Sequence, residues 1–166
     1  MNRETSVVTA EDTESIRRQL GRTPRGVHAI AHRCKCGKPD VVETVPRLAD
    51  GTPFPTFYYA TCPKLTGEIS KLESSGLMAD MNAALECEPE LAGAYHAAHD
   101  DYLAARAALQ ISVPEIDEIS AGGMPTRVKC LHVLVAHSLA AGPGVNPLGD
   151  RALALLPDWW SPRICE

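Results

Sequence analysis

The hydrophobic period of this chain changes from strand-like to helical at Pro63, and that change limits what it can fold into. Upstream lie three short β-branched or alternating runs: "VHAIAHR" (Val27 to Arg33), "VVETVPRL" (Val41 to Leu48) and "TFYYATC" (Thr56 to Cys62). Runs of this kind read as strands. "ADGTPFP" joins the last two and reads as a longish hairpin loop. Pro46 has no amide to donate, which predicts an edge position for the second strand. Downstream of Pro63, apolar residues recur at helical spacing, as in Leu65, Ile69 and Leu72. "LMADMNAALE" continues the pattern, and "PELAGAYHAAHDDYLAARAAL" (Pro89 to Leu109) is the longest helix expected. "VPEIDEIS" reads as a short helix, "AGGMP" as a loop, and "TRVKCLHVLVAHSLAAG" as a helix stopped at Gly142. "PGVNPLGD" reads as irregular, with a final helical turn or two in "ALALLPDWW". Thr9 and Asp12 mark the start of an N-terminal helix that Gly21 ends. Strands followed by helices predict the α+β class: a small antiparallel sheet of about three strands covered by several helices. Residues 1–10 read as a flexible tail and 11–166 as one domain.

With 166 residues, 45% of them hydrophobic, the chain can build one core. No apolar run approaches the roughly 20 residues that cross a bilayer. The polar, acidic start lacks the pattern of a signal peptide, so a cytoplasmic location is expected. The net charge of −5 conceals an asymmetry. Residues 15–47 carry eight Lys and Arg against Asp40 and Glu43, whereas residues 67–119 carry eleven acids against Lys71 and Arg106. Complementary surfaces are the plainer explanation, and an anionic ligand on the basic segment is the other. Nucleic acid is not strongly indicated.

Six cysteines in a reducing compartment are buried, metal-binding or catalytic more often than disulfide-bonded. Cys34 ends the first predicted strand and Cys62 the third, so aligned strands would bring both thiols to one sheet edge. A helix packed there would add Cys130. On a helix running through "KCLHVLVAH", Cys130 and His137 fall within about 20° of each other, while His132 lies about 200° away from Cys130. Zinc favours tetrahedral thiolate and imidazole ligands, whereas an iron–sulfur cluster accommodates widely spaced single cysteines. Buried thiols packing as small apolar groups are the third reading. Cys87 and Cys165 have no useful neighbours in sequence, and Cys165 lies where the chain is expected to fray. His96 and His99 read as a solvated face, and Trp159–Trp160 as a clasp for the C-terminus. "AGGMPTRVK" lacks the spacing of a phosphate-binding loop, and no nucleophile elbow, zincin or dinucleotide motif is present.

"HRCKCGKPDVVETVPRLADGTPFPTFYYATCPKLTGEISKLESSG" and "SAGGMPTRVKCLHVLVAHSLAAGPGVNPLGD" resemble the bacterial domain-of-unknown-function family 501, common in Actinobacteria. The resemblance runs from about His28 to Trp160. It implies a short, single-domain cytosolic protein with no activity attached. The matching phrases single out Cys34, Cys62 and Cys130 and make Cys36 optional.

The resulting expectation is a cytosolic metalloprotein in which Cys34, Cys62 and Cys130 hold an iron–sulfur cluster or zinc. His137 is expected as a fourth ligand or as a base facing substrate. Arg33, Arg127 and Lys129 would supply positive charge for a small anionic substrate or a nucleoside. The rival is a non-enzymatic interaction protein whose cysteines are simply buried, with a link to cell division that only the family resemblance implies.

Overall fold

The computed structural model describes residues 4–161 and Cys165. Strands β1 (Val27–Arg33), β2 (Pro39–Thr44) and β3 (Tyr58–Ala60) form one antiparallel sheet in that order. Around it lie helices α1 (Ala10–Leu20), α2 (Pro63–Ser74), α3 (Leu77–Cys87), α4 (Pro89–Ala107), α5 (Leu131–Ala141) and α6 (Pro147–Ala154), plus one 3-10 turn at Pro114–Ile116. The α+β expectation holds. The edge position expected for the second strand does not. β2 is central and buried along its length, because it stops at Thr44 and leaves Pro46 outside the ladder.

Strand alternation divides the core between the two faces of the sheet. Val41 and Tyr58 face the larger core, built on Leu65, Tyr95, Tyr102 and Leu134. Val42 and Ile30 face a smaller cluster closed by Ile16 of α1. α1 begins with a reciprocal cap between Thr9 and Asp12 and ends at Gly21, whose φ of 67° suits glycine. Ahead of it, Ser6 exchanges both backbone hydrogen bonds with Ile30 (3.0 and 2.9 Å), so this segment pairs with the outer edge of β1.

α5 is the central helix. Leu131 and every residue from Val133 to Ser138 are buried, as expected of a helix apolar on all sides. It packs on the sheet, on α2 and on α6. It starts at Leu131 rather than near Thr126, because Cys130 is extended (φ −153°, ψ 113°) and occupies the cap position. The chain before it is held in a tight loop by Lys129 N–H to Gly122 O (2.7 Å) and Arg127 N–H to Gly123 O (3.1 Å). The first half of α6, residues 147–150, forms where irregular chain was expected, while residues 152–154 fall in the final helical turns that were expected. Asn146 caps it by accepting the Gly149 N–H (2.9 Å), and Pro147 fills its first position. Gly149 lets α6 press on α5: a Cβ there would lie 2.2 Å from Leu134 O.

Two buried polar side chains fasten the helices to the sheet and loops. The Tyr102 hydroxyl accepts the Phe57 N–H (2.6 Å) and the Tyr58 N–H (3.2 Å). The Arg106 guanidinium donates to the carbonyls of Pro55, Ile119 and Ile116.

Candidate metal centre and a second cysteine site

The turn between β1 and β2 builds the first half of a thiol cluster. Cys34 N–H donates to Lys38 O (3.0 Å) and Gly37 N–H to Cys34 O (2.8 Å), with Gly37 at φ 86°. This tight turn sets Cys34 and Cys36 side by side. The Cys36 N–H points at the Cys34 sulfur, and the N–H groups of Lys38 and Cys165 point at the Cys36 sulfur.

Cys165 arrives from the far end of the chain. Its sulfur lies 3.4 Å from that of Cys34, and the sulfurs of Cys34, Cys36 and Cys165 all lie within 4.8 Å of one another. The Cys62 thiol reaches the Cys165 thiol from the cap position of α2, where its sulfur also accepts the Leu65 N–H at 3.5 Å. Three features hold the C-terminus there. Gln19 Nε2 donates to both Pro39 O (2.8 Å) and Cys165 O (2.7 Å). Trp159 is buried and sits edge-on to Trp160. The Lys35 ammonium, between the two turn cysteines in sequence, stands 4.1 Å from the centre of the Trp160 ring.

Burial pushes the Cys165 thiol well above its ordinary range, and the neighbouring thiols of Cys62 and Cys34 push it further. Burial also raises Cys34, against the N–H of Cys36. At Cys36 burial acts the same way, but the Lys38 and Cys165 amides outweigh it and leave the thiol below its ordinary value. The sulfurs of Cys34, Cys36 and Cys165, all within 4.8 Å of one another, cannot all ionise without a cation among them; Cys62 touches only the Cys165 side of this group.

Cys130 is elsewhere. Cys34, Cys62 and Cys130 do not form one group among the described residues; Cys130 instead joins Glu73 and His132, with ligand atoms within 4.8 Å of one another. The angular argument that separated His132 from Cys130 fails, because Cys130 caps the helix and is not on its regular 100° spiral. Glu73, near the end of α2, accepts the Leu131 N–H at 2.7 Å and faces His132 Nδ1 at 3.1 Å. His132 Nε2 faces Thr66 O at 3.2 Å and Ser70 Oγ at 3.4 Å. A carboxylate on one nitrogen and a carbonyl on the other suit a doubly protonated ring. Hydrogen bonding to Cys130 and then to Glu73 accordingly raises His132 to about 9. Cys130 and His132 both line a cleft of about 540 Å³ whose other walls come from α1, β3 and α2.

The remaining expected residues scatter. His137 is fully buried and belongs to neither cysteine group. Asn146 Nδ2 donates to its Nδ1 (3.2 Å), which leaves Nε2–H to donate to Asp101 Oδ2 (2.8 Å). Its ring stacks on Tyr58 and meets Tyr102 edge-on, so it ties α4, α5 and α6 together. Arg33 is bound bidentately by Asp12 (2.7 and 2.9 Å), and the hydrogen bond to Arg33 holds the Asp12 carboxyl far below its usual range. Arg127 and Lys129 are exposed, and none of the three cations lines the cleft. His96 is exposed beside Asp100, whereas His99 is buried against Ser120 Oγ at 2.8 Å.

Sequence reasoning missed Cys165. The one signal for it was the Trp159–Trp160 clasp, which implied an anchored C-terminus but gave no direction for the last residues.

Fold and clusters together define a small α+β protein with a largely buried thiol group and a separate cleft lined by Cys130 and His132, the histidine being held by Glu73. Residues 30–154 match the family described as protein of unknown function (DUF501), and the chain belongs to that family. Cys34, Cys36, Cys62 and Cys130 fall inside the matched segment; Cys165 lies beyond it. No curated protein and no solved structure matches the chain. No helix among the described residues is long and apolar enough to cross a membrane.

Proposed function

We propose that this chain binds one tetrahedral metal ion, zinc by preference, through Cys34, Cys36, Cys62 and Cys165, and that the ion fastens the C-terminus to the sheet. The observation that carries this reading is the 3.4 Å separation of the Cys34 and Cys165 sulfurs, with Cys36 in the same group. A Zn–S bond of about 2.3 Å in tetrahedral geometry puts neighbouring sulfurs about 3.8 Å apart. An iron–sulfur cluster is several ångströms across and holds its thiolates further apart. The compact spacing of Cys34, Cys36 and Cys165 therefore favours a single ion over the cluster, and Cys62, next to Cys165, is the thiol at hand to complete its shell. The backbone N–H groups aimed at three of the sulfurs support it too, since they stabilise thiolate charge. Four thiolates close the coordination shell, which makes the role structural.

The test is metal and sulfide analysis of protein purified without oxygen, followed by cobalt substitution. One zinc per chain, and a thiolate-to-cobalt charge-transfer band lost in Cys34→Ser and Cys165→Ser, is the expected result. Iron with matching sulfide would overturn zinc in favour of a cluster. Absence of metal together with two missing free thiols would assign the close Cys34–Cys165 pair to a disulfide instead.

A further inference from the structure

The second cysteine group has the donor set of a metal site with one position left open. Glu73, Cys130 and His132 each offer a ligand atom, these atoms lie within 4.8 Å of one another, and all three residues are only partly buried. Two residues in a Cys-x-His pair point to opposite sides of a regular helix. Here Cys130 is the extended cap residue and His132 lies in the first turn, so the two meet. Glu73 comes from the last turn of α2, and the Leu131 N–H holds its carboxylate at 2.7 Å.

The hydrogen bonds around the imidazole fix which nitrogen can take an ion. Ser70 Oγ donates its proton to Thr66 O at 2.9 Å, so both of these oxygens act as acceptors toward His132. They face Nε2 at 3.4 and 3.2 Å and hold the ring proton there. Nδ1 then carries the lone pair of the neutral ring and faces Glu73 Oε1 at 3.1 Å. Metal-bound histidines commonly give their other N–H to a backbone carbonyl in this way. Zinc bonded to nitrogen and oxygen at about 2.1 Å in tetrahedral geometry sets those two atoms about 3.4 Å apart, close to the spacing found. In the metal-free protein a second proton occupies Nδ1 instead. Cys130 and His132 line the cleft, together with uncharged polar side chains that include Gln19, Thr61 and Thr66. Among the described residues no Lys, Arg, Asp or Glu side chain lines it, which suits an uncharged ligand.

We propose that Glu73, Cys130 and His132 bind a second ion of the zinc class through one oxygen, one sulfur and one nitrogen, with its fourth position open to the cleft for water or a small uncharged ligand. Three protein ligands and an open position are the pattern of catalytic rather than structural zinc. The thiolate and imidazole select against magnesium and calcium, which take oxygen donors. An open three-ligand set holds its ion less tightly than four thiolates do. The second site is therefore loaded by added metal, whereas the four-thiol site keeps its ion through purification. This reading does not rest on the four-thiol site.

The experiment is a cobalt titration of the full-length protein, after the metal it retains through purification has been counted. Expected is one further equivalent of cobalt with the visible bands of a tetrahedral ion and a sulfur-to-cobalt charge-transfer band. Cys130→Ser removes that charge-transfer band. Glu73→Gln, which keeps an acceptor for the Leu131 N–H, and His132→Gln each weaken uptake by at least about ten-fold. Added imidazole should shift the visible bands of this cobalt, because only an open position admits another ligand. Cys34→Ser separates the two sites: it should remove the retained ion and leave the further equivalent in place. No further uptake, uptake that Glu73→Gln and His132→Gln leave unchanged, or bands that imidazole does not move would overturn the proposal. Should Cys130→Ser fail to fold, Glu73→Gln and His132→Gln decide the matter.

Discussion

His132 carries a titration that the fold displaces. Its value rises from the usual 6.5 to about 9, through hydrogen bonding to Cys130 and then Glu73, against burial. A group raised by folding stabilises the native state fully below its unfolded value, and the contribution is lost as pH climbs through the folded value. The window therefore runs from about pH 6.5 to about pH 9. After solvent screening the contribution is about 2 kcal/mol. Urea midpoints of the wild type and His132→Gln should differ at pH 6 and converge by pH 10; curves that stay parallel would show that the imidazolium adds nothing. Tyr102 offers a test at neutral pH. Tyr102→Phe strands two buried amides, Phe57 N–H and Tyr58 N–H, and should cost about 2 kcal/mol with the same denaturant slope. A loss under about 0.5 kcal/mol would mean that these amides find other acceptors.

At the scale of elements, legibility followed local chemistry. β1 was readable to the residue because its apolar run is bounded by Gly26 and a cysteine–glycine turn. α1 was readable from its capping residues, and α4 from its tyrosine and leucine stripe. The start of α6 was not, since Pro143, Gly144 and Pro147 read as breakers, while Asn146 converts the second proline into a helix start. The start of α5 was misplaced for a related reason. An extended Cys130 is imposed by the loop bonds to Gly122 and Gly123, and nothing in its own side chain announces it. The α5–α6 contact makes a sharp prediction. Gly149→Ala drives a methyl into Leu134 O and should destabilise by about 3 kcal/mol, seen as a drop in Tm of about 10 °C with the native fold retained. Unchanged Tm would mean that α6 slides away at little cost.

Across the whole molecule, the proposed metal site would join the β1–β2 turn, the start of α2 and Cys165. An ion held there at a thousand times its dissociation constant adds about 4 kcal/mol, so chelation should lower Tm by about 10 °C. Removing residues 161–166 should abolish that chelator sensitivity, because Cys165 leaves with them. A truncated protein that still responds to chelator would place the ion elsewhere.

The sequence by itself determined the α+β class, the change from strands to helices at Pro63 and the cysteine types available for chemistry. It did so because periodicity and capping are properties of neighbouring residues. Which cysteines meet was decided only by tertiary structure. Cys34 and Cys165 are separated by 131 positions, and their contact depends on Gln19, Lys35 and the tryptophan pair rather than on spacing. The partnership of Cys130 with Glu73 arose in the same way, from two helices whose approach is set by the packing of the buried α5.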